Sequence, residues 1–113
     1  MKKFLALYIG TASEAEKAAA PISPETQAEG MQAWGTWMTR NASNIVDGGG
    51  PLGPTKKASR DGISDTRNNL VGYVIVEAES HDAAARLFED HPHFAIFPGD
   101  RVEIIECLAI PGM

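Results

Sequence analysis

Residues 90 to 94 read Asp-His-Pro-His-Phe, which puts two imidazoles and a carboxylate within four positions. Histidine titrates near neutrality, so His91 or His93 suits a general acid or base, with Asp90 or the distant Asp47 as an orienting carboxylate. Metal binding is the weaker use of the same residues. His-x-His supplies two ligands where a closed site needs four, and Asp47, His81 and Asp90 stand at no specific spacing to complete it, so no metal is assigned. The structural alternative is a helix end: the negative pole of the dipole favours His91 and His93, and Pro92 stops the helix.

A second stretch, "DGGGPLGPTKK" (47 to 57), has glycines whose N–H groups can face an anion, followed by Lys56 and Lys57. It is not a Walker loop, which would carry Gly-Lys-Ser/Thr where this chain has Gly53, Pro54 and Thr55. Lys56, Lys57, Arg60 and Arg67 nevertheless crowd a segment containing only Asp61 and Asp65, so Lys56 is a candidate for binding a small anion. Trp34 and Trp37, three apart, flank one side of a helix, where tryptophan's large apolar area favours packing. Trp37, taken to lie off the main stripe, joins Tyr73 and Glu103 as a candidate ligand-binding residue.

The elements that would position these groups follow from periodicity. "KFLALYIG" is a strand with Leu5, Leu7 and Ile9 on one face and Phe4, Ala6 and Tyr8 on the other. Residues 11 to 22 are Ala-rich and charged and read as a solvated connection. "SPETQ" opens a helix over roughly 24 to 43, with Ser23 as N-cap, Pro24 at its first position and Glu25 in its first turn. Met31, Trp34, Met38 and Ile45 mark its core-facing stripe, and Gly30 and Gly35 mark close backbone approach. A short extended segment at 45 to 47 precedes a long loop or irregular hairpin over 48 to 69. "NLVGYVIVEAES" is a strand with Leu70, Gly72, Val74 and Val76 facing one way and Val71, Tyr73 and Ile75 the other. Ser80 caps a second helix, with Asp82 pairing Arg86 and with Ala84, Leu87 and Phe88 buried. "RVEIIECLAI" is the last strand, in which Cys107 is a small packed hydrophobe sharing a face with Glu103.

Strand, helix, strand, loop, strand, helix, strand is the split βαβ order of an α+β ferredoxin-like βαββαβ domain, an antiparallel sheet with two helices on one face. The strands are apolar on both faces, whereas two helices cover one. A homodimer through the second sheet face is the expectation, giving a dimeric α+β barrel. At 113 residues the chain is one domain, residues 1 to 113. A net charge of −5 argues against nucleic acid, which selects clustered cations. The N-terminal apolar run of six residues is too short for a signal peptide, no run approaches a membrane span, and one cysteine suits a reducing compartment. A cytoplasmic protein without a membrane partner is expected.

Taken together, "KKFLALYIG", "MQAWGTWM", "DGGGPLGPTK", "GYVIVEAESHDAAARLFEDHPHF" and "VEIIECLAIPGM" resemble the YCII-related family, including its DGPF group, over essentially the whole chain. The resemblance implies a dimeric α+β barrel and a histidine–aspartate pair, the histidine from the first helix and the aspartate from a "DP" step after the second. The helix position falls here on Trp34 or Ala33, and the "DP" step reads "HP", with His91 in place of the aspartate and Asp90 one residue earlier.

The expected function is binding of a small anionic or aromatic metabolite in a cleft near the dimer interface, with cofactor-free acid–base catalysis by His91 or His93. No cofactor motif is present. The alternative is a non-catalytic dimeric interaction or structural module.

Overall fold

The computed structural model describes residues 1–11 and 22–112. Most of the connection expected at 11 to 22 lies outside the described residues. The elements are β1 (Lys2–Gly10), α1 (Pro24–Arg40), β2 (Ile45–Pro51), β3 (Thr55–Ser59), β4 (Gly62–Thr66), β5 (Leu70–Ala78), α2 (His81–Arg86), α3 (Pro92–Ala95) and β6 (Gly99–Glu106). Four strands form one antiparallel sheet in the order β2-β5-β1-β6, while β3 and β4 form a separate two-stranded hairpin. Without that hairpin the topology is the ferredoxin-like βαββαβ expected from the sequence. The stretch expected at 48 to 69 as a long loop or irregular hairpin thus begins within β2 and holds a regular hairpin, with 67 to 69 outside any strand before β5.

The sheet has a dry face and an open one. Phe4, Ala6 and Tyr8 of β1 and Val74, Val76 and Ala78 of β5 are buried on the same side, under the helices. The alternate set pairs across the other side, Leu5 opposite Ile75 and Ile105, Leu7 opposite Tyr73 and Glu103, and is only partly buried or exposed. That division follows from the two-residue period of a strand meeting helices on one side alone.

Helix α1 begins as the sequence predicts. Ser23 accepts a hydrogen bond from the Thr26 amide, and Pro24 opens the helix, where its missing N–H costs nothing. The helix stops at Arg40, however, so Ile45 belongs to β2 rather than to the helical stripe. The buried side runs through Gly30 and Trp37, with Trp34 and Met38 partly buried, and Met31 lies 58% exposed. Gly30 is where backbone approaches closely: a Cβ there would sit 2.3 Å from the Phe97 ring, whereas one at Gly35 would meet nothing within 4 Å.

Trp37 therefore stands in the core rather than lining a pocket, which corrects the expectation that it lay off the stripe. It is 1% exposed, its Nε1 donates to the Leu87 carbonyl at 2.7 Å, and its ring centre lies 5.0 Å from that of Phe88. Burying the indole requires a partner for its N–H, and the end of α2 provides one.

Helix α2 is capped by Ser80 through the Ala83 amide and buries Ala84; of the two further residues expected in its stripe, both beyond its end, Phe88 is buried and Leu87 partly so. The Asp82–Arg86 pair is not among the ion pairs of the described residues, which are Lys56–Asp65, Arg101–Asp100 and Arg101–Glu103. Strand β6 ends at Glu106, opposite Phe4 of β1, and Cys107 lies beyond it and exposed rather than packed.

Replacing Trp37 by Phe removes the donor to Leu87 and part of the buried ring. The expected loss is about 1–3 kcal/mol of unfolding free energy in urea titration, whereas Met31→Ala should change it by less than about 0.5 kcal/mol.

Candidate functional site

The histidine stretch is not the end of a helix; it is the beginning of one. After α2 the chain turns through Asp90, the one described non-glycine residue with positive φ (54°), and His91 becomes the N-cap of α3 with Pro92 at the first helical position. Pro92 thus starts a helix instead of stopping one, because its fixed φ suits a first turn and its missing N–H is not needed there.

Hydrogen-bond partners fix which nitrogen of each neutral ring carries the proton. The His93 amide donates to His91 Nδ1 at 3.0 Å, so neutral His91 carries its proton on Nε2, which faces the Tyr8 hydroxyl at 3.3 Å. His93 Nε2 lies 2.8 Å from the Ile9 carbonyl oxygen, which can only accept. In its neutral form His93 therefore carries the proton on Nε2 and leaves Nδ1 as the acceptor.

Both imidazoles are enclosed, His91 at 0% exposure and His93 at 6%. Trp34, Trp37, Phe88 and Tyr8 surround His91, with ring centres 4.6, 4.7, 5.8 and 5.1 Å away. Burial and then the charge of a protonated His93 lower the His91 pKa from 6.5 to about 3, so His91 is a neutral structural hydrogen-bonding group. Burial pushes the Tyr8 hydroxyl well above the usual tyrosine range and keeps it protonated.

His93 also lines a cleft of about 340 Å³ bounded by Ile22, Gln27, Val71 and Phe97, with Thr11 and the Pro98–Gly99 backbone at its edge. Apart from His93 none of these side chains can carry charge. The Phe97 wall rests directly on Gly30, and Gly99 does the same for the histidine: a Cβ at Gly99 would lie 2.4 Å from His93 Cε1, Nε2 and the backbone oxygen.

The structure brings His91 and His93 together with Trp37, whose ring centre lies 4.7 Å from that of His91, and leaves Asp90, Asp47, Lys56, Tyr73 and Glu103 without a hydrogen bond to either imidazole among the described residues. Asp90 is exposed in the turn, and Asp47 is exposed with Oδ1 accepting from the Gly49 amide. Neither carboxylate has a hydrogen bond to an imidazole among the described residues. Lys56 is exposed on the hairpin, paired with Asp65 at 2.6 Å. Tyr73 stands on the open sheet face, half-buried, and Glu103 on the same face is paired with Arg101 at 2.6 Å. Of the two positions at which the resemblance implies a dyad, Trp34 and His91 do face each other, but as an edge-on aromatic pair.

Sequence reasoning missed Tyr8, Phe97 and Gly99. The only local signal was a tyrosine on the strand face shared with Phe4 and Ala6, since a buried phenol needs a polar partner. Nothing in the sequence ties Gly99 to a residue six positions earlier through space.

No family model and no curated protein matches the chain. Among solved structures, it is similar to the 5-chloro-2-hydroxyhydroquinone dehydrochlorinase of Burkholderia phenoliruptrix AC1100, in complex with 2,5-dihydroxybenzoquinone. That match covers 90% of this chain and 89% of the other at 19% identity and a TM-score of 0.51, which establishes a shared fold.

Two measurements check the site. Because the folded-state pKa of His91 is depressed, its neutral form stabilises the fold fully above about pH 6.5, and that contribution is lost progressively as pH falls toward about 3. Unfolding free energy should fall over that interval in the wild type, with a shallower slope at its upper end in His91→Asn. Separately, Gly99→Ala should destabilise by about 1–3 kcal/mol and convert His93 to a tautomer mixture in imidazole ¹⁵N spectra, whereas Gly53→Ala, with nothing within 4 Å, should do neither.

Proposed function

We propose that this chain is a YCII-related protein that binds a small, uncharged or weakly acidic planar metabolite in the His93 cleft and uses His93 Nδ1 as a cofactor-free general base. The observation that carries this reading is the Nε2–H···O=C bond from His93 to Ile9, which commits one nitrogen to the backbone and leaves the other as the acceptor. Protonation leaves a cation on His93 that the same carbonyl stabilises. His91 then stays neutral, since burial and a charged His93 both oppose a second proton.

The reaction class is proton abstraction from carbon or from a hydroxyl, the kind of step that opens eliminations and isomerisations. The fold neighbour's name, a dehydrochlorinase, and its ring-sized quinone ligand support that class, as do a cleft of about 340 Å³ and its Phe97 wall. An anionic ligand at Lys56 fits less well, since Lys56 is paired with Asp65 and sits on a hairpin away from the histidines.

A homodimer through the open sheet face is part of the same reading, because Leu5, Leu7, Tyr73, Ile75 and Ile105 form an apolar surface that the helices do not cover. A cytoplasmic setting and the absence of a nucleic-acid partner remain in the proposal on the grounds of net charge and cysteine usage. No helix among the described residues is long and apolar enough to cross a membrane. If the sheet face alone matters, the chain is a non-catalytic assembly module.

The test uses 2,5-dihydroxybenzoquinone as a probe. Titration should shift the His93 ring resonances and those of Val71 and Phe97, and His93→Gln should weaken binding by about tenfold or more, a difference of about 1.4 kcal/mol, while Lys56→Gln leaves it unchanged. Shifts confined to the hairpin, or equal affinity in His93→Gln, would sink the base assignment.

A further inference from the structure

The hairpin β3–β4 is the part of the fold that its own chain does not explain. Its strands pair only with each other and make no substantial contact with any other element. Every residue from Lys56 to Asp65 is exposed, Ile63 by 78%. A lone two-stranded hairpin is at best marginally stable in water, so a regular one needs a surface to lie on. The molecule is correspondingly spread out. Its radius of gyration is 15.9 Å and its extents are 49 × 44 × 18 Å, against the radius of about 13 Å usual for a compact domain of this length.

Charge identifies the surface. Lys56, Lys57 and Arg60 against Asp61 and Asp65 leave this arm at +1 in a chain of −5, so the remainder carries −6. Lys56 is neutralised by Asp65, which leaves Lys57 and the tip residue Arg60 without an ion-pair partner among the described residues. At the end of the sheet from which the arm springs lies an open concavity of about 680 Å³, lined by Asn69 and Leu70 and by the Asp100–Arg101 edge with Glu103. There a single cation, Arg101, serves two carboxylates, Asp100 and Glu103.

We propose that the hairpin is an arm that crosses a twofold interface and lays Lys57 and Arg60 into the acidic concavity at Asp100 and Glu103 of a second copy. The proposal rests on the dimer reading above and deepens it. In a twofold pair each copy gives one arm and receives one, so a mismatch counts twice. The concavity shares Gly10 and Thr11 with the His93 cleft. The second copy's arm therefore borders the mouth of the ligand site, which one chain leaves open to solvent.

The experiment is a charge exchange read by sedimentation equilibrium of the full chain at low and high salt. Lys57→Glu/Arg60→Glu and Asp100→Lys/Glu103→Lys should each weaken self-association by about tenfold or more, and an equimolar mixture of the two should restore it, since both arms of the mixed pair are again complementary. Unfolding curves of each variant check that it is folded, and the mixing arm uses both variants in that same state. A wild type that dimerises with both variants unaffected overturns the arm and leaves the dimer standing. A monomeric wild type overturns both. Failure of the mixture to recover overturns the pairing, as does a wild-type affinity for duplex DNA that Lys57→Glu/Arg60→Glu abolishes without changing self-association.

Discussion

The His93 amide donating to His91 Nδ1 is the interaction on which the rest of the site depends. That bond caps α3, fixes the tautomer of His91, directs its Nε2–H to Tyr8 on the central strand and sets the chain direction that carries His93 to Ile9. It works only while His91 is uncharged, because an imidazolium could not accept the amide and would sit desolvated among four aromatic rings. The aromatic enclosure that looks like ordinary core is therefore also what keeps the second proton off the pair. Asp90 in a left-handed conformation and Pro92 at the helix start are local conditions for the same cap.

Around this bond the architecture is asymmetric. Helices cover the sheet face that holds Phe4, Tyr8 and Val76, and Trp37 seals the joint between α1 and the end of α2 through its bond to Leu87. The opposite face keeps a row of aliphatic and aromatic side chains with Glu103 and Arg101 among them, and the hairpin extends beyond it. An 18 Å slab is one layer of sheet and one of helix. The catalytic reading uses the covered side, the assembly reading the open side, and the two meet at Gly10 and Thr11, where cleft and concavity share a wall.

Much of the fold was legible because local rules and global packing agree in it. Ser23-Pro24 and Ser80 marked two helix starts that the structure keeps, and the alternation in "NLVGYVIVEAES" separated the buried Val74 and Val76 from Tyr73 and Ile75. The errors fell where a local signal has two meanings. Proline stops one helix or starts another, and only the space beyond α2 decided that Pro92 starts one. A tryptophan three residues from another can sit on either side of a stripe, and the packing of α1 on Leu87 and Phe88 put Trp37 in the core and Met31 in solvent.

The sequence by itself determined the order of the four sheet strands and the two main helices, the split βαβ topology, the two-sided apolar sheet and the pair of histidines beside a proline, because strand and helix periods, caps and turn residues act over a few positions. Tertiary structure alone decided which partner each imidazole nitrogen meets. The partners of these rings, Tyr8 and Ile9, lie more than eighty residues away in the chain, and no local spacing encodes a hydrogen bond made across a sheet. Nor could spacing show that Gly99 and Gly30 leave room for an imidazole and a phenyl ring, since a glycine's meaning is set by what approaches it.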